Sequence, residues 1–209
     1  MKTPFDMEAF LDQTFFGLDT AAMLDDIEDF IDFSESNITW QKKRERRLAE
    51  KECEEVELDD PQHEAQYHNQ LLESVDYRFD VCLTQRVRYA ALTSIITTIE
   101  WVLLSLGKRA ASPIPRKPDG ANESVHILRV FSERGGLGLE PRAETLEKLV
   151  QVRNCVVHGA GLLGSSRYED ELRLSIAGMT GIKISNVNFL GDGIEIEGGF
   201  LQKVVEEAT

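Results

Sequence analysis

The chain has 209 residues, of which 42% are hydrophobic and 29% charged, so it is long enough for one sizeable globular domain with an appendage and too short for two full ones. Three cysteines, Cys53, Cys82 and Cys155, are odd in number and far apart, which argues against a disulfide framework and against a zinc site. The net charge of −14 argues against a polyanionic partner only until its distribution is read: residues 1–76 carry 21 acidic and 7 basic side chains, whereas residues 77–209 carry 16 of each.

Within residues 77–167 the balance turns basic, with 13 Lys or Arg against 8 Asp or Glu, so an anionic ligand is allowed there. The acidic, amphipathic N-terminus lacks the basic segment and apolar core of a secretory signal, and a cytoplasmic protein is expected.

Phe10, Phe15, Met23, Ile27, Phe30 and Ile31 punctuate the acidic N-terminal stretch at mostly helical spacing, predicting one helix, or two with a break near Gly17. From Trp40 to Leu58 a basic run, Lys42, Lys43, Arg44, Arg46 and Arg47, precedes Glu50, Glu52, Glu54, Glu55 and Glu57. That order suits a solvated helix supported by spaced ion pairs, and a run of this kind is also able to touch nucleic acid. Pro61 after Asp59-Asp60 marks a break and a helix start.

Residues 62–111 read as one long helix or two nearly collinear ones, polar as far as Asp76 and apolar from Val81 to Leu106. The stretch from Ala90 to Leu106 contains Thr93, Ser94, Thr97, Thr98 and Glu100, which makes it too polar for lipid. A buried bundle helix without membrane association is the expectation. Pro113, Pro115, Pro118 and Gly120 then form a loop beside Lys108, Arg109, Arg116 and Lys117, four candidates for contact with RNA phosphates.

A short helix over 123–133 follows, ended by Gly135, Gly136 and Gly138, and a longer one runs from near Pro141 to His158. After Gly164 apolar and polar residues alternate over 172–176, 182–187 and 194–197, predicting three short strands with glycine-containing turns. Phe200 to Glu207 reads as a terminal helix.

The most informative stretch is Arg153-Asn154-Cys155-Val156-Val157-His158-Gly159, which closes the periodic helix. Leu146, Leu149, Val150, Arg153 and Val157 fall at three- and four-residue steps, so Arg153 sits where the buried face should continue. A guanidinium there needs a carboxylate, a partner subunit or an anionic ligand. His158 lies in the last turn, where the helix dipole favours its protonated form, just before Gly159 and Gly161 as C-terminal caps.

An Arg, a polar residue and a His four to six positions after the Arg, at the end of an amphipathic helix, resembles the signature of the HEPN superfamily (higher eukaryotes and prokaryotes nucleotide-binding). The resemblance covers about six residues tightly, and Arg153, Asn154 and His158 are the positions that carry over. It implies an all-helical fold and a metal-independent endoribonuclease of toxin or defence type, needing no cofactor, that works as a homodimer on RNA, with an antitoxin protein as a candidate partner. The same fold without catalysis, binding protein or nucleotide, is the alternative.

The expected fold class is mainly α: an HEPN-like helical bundle with a small C-terminal antiparallel β element. Residues 1–60 form an acidic N-terminal helical segment, 61–164 the helical core, and 165–209 a β-hairpin or meander with a terminal helix. In the chemistry implied, His158 transfers protons near neutral pH, Arg153 grips the phosphate, and Asn154 orients the imidazole or binds the ribose.

Five helical residues turn through roughly 500°, leaving Arg153 and His158 about 140° apart. A twofold pairing of motif helices, with Val152 or Val156 as its apolar anchor, would bring two copies of the motif into one cleft. Glu100, the one charged residue between Tyr89 and Leu106, is the supporting candidate: either it pairs with Arg153 or it faces solvent on an exposed edge. Arg153 itself admits a purely structural reading, paired with a buried acid while His158 caps the helix.

Overall fold

The computed structural model describes residues 7–186 and 190–208, with side chains from residue 19 onward. The chain is mainly helical, with one two-stranded antiparallel sheet near its C-terminal end. Two compact units divide it: Asp29–Ala91 forms one, and Met1–Glu28 with Leu92–Thr209 forms the other. The boundaries expected at 60 and 164 fall inside these units, because α1 (Met7–Glu55) and α3 (Thr84–Arg109) each run through a division.

In the unit Asp29–Ala91, α1 turns back through residues 56–60 into α2 (Pro61–Asp76), which continues through a π-helical stretch, Tyr77–Leu83, into α3. Helix α1 passes Gly17 without a break. The start of α2 has the expected physical cause: Asp60 lies outside the helix, its carboxylate accepts from the Gln62 amide at 2.8 Å, and Pro61 occupies the first turn. Widening at the π stretch is visible in the Thr84 hydroxyl, which donates to the Phe79 carbonyl five residues back at 2.8 Å.

Cross-helix rungs define an antiparallel hairpin. Arg88 donates to Glu35 at 2.7 Å, Lys42 sits 3.1 Å from Asp76 and also reaches Asp80, Arg46 pairs with Asp76, and the Tyr67 hydroxyl donates to Glu52 at 2.7 Å. The charged segment was expected to hold itself together by pairs along one helix. Arg46–Glu50 and Lys51–Glu55 are such pairs, but Lys42 and Arg46 also reach across the hairpin. Lys43, Arg44 and Arg47, on the outer side, are exposed.

In the other unit, the second half of α3 buries Leu92, Ile95, Ile96, Thr98 and Leu103. By length and composition the run Pro61–Arg109 is long and apolar enough to cross a membrane; about a third of its most apolar window is enclosed by protein, and Trp101 and Leu106 are exposed. Next come α4 (Glu123–Gly135), α5 (Glu140–Gly159), a 3-10 turn (Leu163–Ser165), α6 (Glu169–Ala177), β1 (Ile182–Asn186), β2 (Asp192–Ile196) and α7 (Phe200–Ala208). Helix α5 packs between α4 and α6. The hairpin pairs Ile182 with Ile196 and Ile184 with Ile194.

One expected strand is corrected. Residues 172–176 lie in α6, where Leu172 and Ile176, four apart, are buried and Leu174 is 76% exposed. Five residues of alternating polarity fit two periods, and the triple acid Glu169-Asp170-Glu171 at the positive end of a helix dipole decides for the helix. Val187, expected in the first strand of the hairpin, lies outside the described residues.

Candidate functional site

Helix α5 presents three faces. Ala143, Leu146, Leu149, Val150, Val152, Cys155 and Val156 are buried and hold it in the bundle. Glu147, Gln151, Asn154 and His158 follow one another at steps of four, three and four residues, which places them on a second face. Arg153 stands on a third direction, about 140° from His158.

The second face forms one wall of a polar groove of about 770 Å³. Gly120, Ala121 and Asn122 from the loop before α4 line it, and Ser165, Ser166, Arg167, Tyr168 and Glu171 close it from the segment leading into α6. Asn154 and His158 therefore share a cleft. Both are exposed, as are Arg167 and Tyr168, and Arg167, His158 and Glu171 make no ion pair among the described residues. Glu147 is neutralised by Arg129 at 2.8 Å, and Gln151 accepts a hydrogen bond from Ser175 at 2.7 Å.

Arg153 does not line this groove. Its Nη2 donates to Glu100 at 2.9 Å, with both side chains less than one-fifth exposed, and its Nε is buried without a hydrogen-bond partner. Glu100 also accepts from Asn122 Nδ2 at 3.0 Å, while Asn122 Oδ1 caps α4 through the Val125 amide at 3.1 Å. The Glu100 carboxylate thus ties α3, the start of α4 and α5 together, and Asn122 carries that linkage to the groove wall. Of the two readings of Glu100, pairing holds.

Helix α5 ends differently from the expected glycine cap. Ala160 occupies the left-handed region with φ 52°, Gly161 follows at φ 82°, and the Gly161 amide bonds back to the Cys155 carbonyl at 3.2 Å. That reversal directs the chain into the Ser165-Ser166-Arg167 wall. Cys155 also lines the groove, where burial pushes its thiol up, with the Glu169 carboxylate adding to the effect, and its sulfur lies 3.5 Å from the Leu162 carbonyl.

The loop basics do not join the groove. Lys117 donates to the Ala121 carbonyl at 2.7 Å, Arg116 stands fully exposed 4.0 Å from Asp119, and Lys108 and Arg109 end α3. The loop itself is pinned by Arg134 to the Ser112 and Pro113 carbonyls and by a hydrogen bond between His126 and the Pro115 carbonyl. Val152 and Val156, expected to anchor a twofold pairing of motif helices, are 0% and 8% exposed within the chain, so the bundle core already uses them. Among the described residues no three His, Cys, Asp or Glu side chains cluster as a metal site.

Arg167, Tyr168 and Glu171 were missed because residues beyond 164 read as a β element. An arginine beside an exposed tyrosine just before an acidic helix start was the available signal. No protein-family model matches the chain, and no curated protein and no solved structure matches it.

Proposed function

We propose that the groove beside α5 binds and cleaves RNA, making the chain a metal-independent endoribonuclease of toxin or defence type. The reading rests on one observation: His158 and Asn154 share an open polar groove with Arg167, Tyr168 and an unpaired carboxylate, Glu171. Transfer of the 2′-oxygen to phosphorus, with release of the 5′-oxygen, requires one proton to be taken and one given. Glu171 takes the proton from the 2′-hydroxyl and His158 protonates the leaving oxygen, which yields a cyclic phosphate. Arg167 offsets charge on the transferring phosphoryl group, Asn154 holds the ribose, and Tyr168 offers a face on which a base stacks. Arg153 is a positioning residue, holding α5 against Glu100 behind the groove.

The second reading, a catalytically inactive helical module, is favoured by the engagement of Arg153 with Glu100, which withdraws the motif's own guanidinium from the groove. Mixed single-stranded RNA incubated with purified protein in excess chelator separates the two. Cyclic-phosphate ends that appear with the parent and disappear in His158→Ala support the enzyme. Absence of cleavage by the parent, or equal cleavage by the variant, removes it.

A further inference from the structure

The outer face of α1 in the unit Asp29–Ala91 carries a row of large apolar side chains in water: Phe30 is 46% exposed, Phe33 73%, Trp40 57% and Leu48 52%. Positions 30, 33, 37, 40 and 44 follow at steps of three, four, three and four, the spacing of a coiled-coil seam. Asn37 lies in the middle of that seam, with Phe33 and Trp40 on either side.

Charge divides the same face in two. Asp29 and Asp32 lie along its first half, Lys43, Arg44 and Arg47 lie along its second, and all five are exposed. The basic run is split by its helical phase: Lys42 and Arg46 turn inward and pair with Asp76 and Asp80, whereas Lys43, Arg44 and Arg47 point outward and make no ion pair among the described residues. Asp29 likewise has no ion-pair partner there.

We infer that α1 is the seam of a homodimer, in which a second copy of this chain lies antiparallel along it with Asn37 near the twofold axis. An antiparallel arrangement sets Phe33 against the partner's Trp40 and Asp29 against the partner's Arg44, each contact occurring twice. A parallel arrangement would set Arg44 on Arg44 and Asp29 on Asp29, which like-charge repulsion disfavours. The face therefore selects both its partner and its direction. This interface replaces the pairing of motif helices that the buried Val152 and Val156 withhold, and it stands whether or not the groove cuts RNA.

Sedimentation and cysteine cross-linking of the full chain test it. At micromolar concentration without RNA the parent sediments at twice 23.6 kDa. The double variant Phe33→Glu, Trp40→Glu, altered at exposed positions, runs as a monomer with unchanged helix content. Asp29→Arg and Arg44→Asp each weaken the dimer at least tenfold, and combining them restores it.

With Cys53 and Cys82 replaced by serine, Asn37→Cys forms a linked dimer under mild oxidation. Leu48→Cys does not, since its two copies would lie about 33 Å apart along the antiparallel axis at 1.5 Å per residue. A monomeric parent, a parent that associates only when RNA is added, a double variant that stays dimeric, or linkage through position 48 instead of 37 would each overturn the proposal.

Discussion

Glu100 shows how one side chain can serve a fold and a site together. Its carboxylate holds the Arg153 guanidinium and the Asn122 amide from within an apolar helix, so neither charge of the pair is left in a poorly solvated interior. Removing it strands a cation whose Nε already lacks a partner. Glu100→Ala is expected to cost about 3 kcal/mol, read as a lower urea midpoint. Glu100→Gln keeps an acceptor for Asn122 and should cost less. Equal midpoints for Glu100→Ala and the parent would mean that the pair contributes nothing net.

At the level of the element, the α1–α2 hairpin depends on ion pairs concentrated at the π stretch. Asp76 accepts from Arg46 and lies 3.1 Å from the Lys42 ammonium, and these two cations hold its carboxyl below the usual carboxylate range, the Arg46 hydrogen bond contributing most. A group whose folded pKa is depressed contributes stability above its unfolded value and loses that contribution as pH falls through its folded value. The hairpin unit should therefore loosen from about pH 4 downward, where an ordinary aspartate begins to protonate. Amide exchange in residues 42–46 and 76–80 should rise over that range, and Asp76→Asn should flatten the pH dependence. On the alkaline side Lys42, raised chiefly by its hydrogen bond to Asp80, loses its contribution only as pH climbs past its folded value.

For the whole molecule, the distribution of apolar surface decides which face can be shared with a partner. Helix α5 puts Val150, Val152 and Val156 into the bundle core and leaves Val157, expected on the buried face, 52% exposed, while α1 leaves aromatic rings in water. Val156→Asp should consequently act as a core lesion, because an unpaired carboxylate would enter the packing among α4, α5 and α6. Its expected signature is loss of helix content and of the cooperative melt. A variant that keeps its fold and merely dissociates would return Val156 to an interface.

Much of the architecture was legible in the sequence. The helix starts at Pro61 and Glu123, the end of α5 near Gly159 and the closing hairpin all follow from capping residues, glycines and hydrophobic period, which act within a few residues. The charge of Arg153 at a buried position called for a carboxylate, a partner subunit or an anionic ligand, and only packing decided that Glu100 is the group that meets it. What local pattern could not decide was whether 172–176 was strand or helix, since five alternating residues satisfy either period. Nor could it place Arg153 outside the groove and Arg167, Tyr168 and Glu171 inside it, or turn Lys42 and Arg46 inward across the hairpin. Those outcomes depend on which face of each helix meets another, and packing between segments distant in sequence settles that.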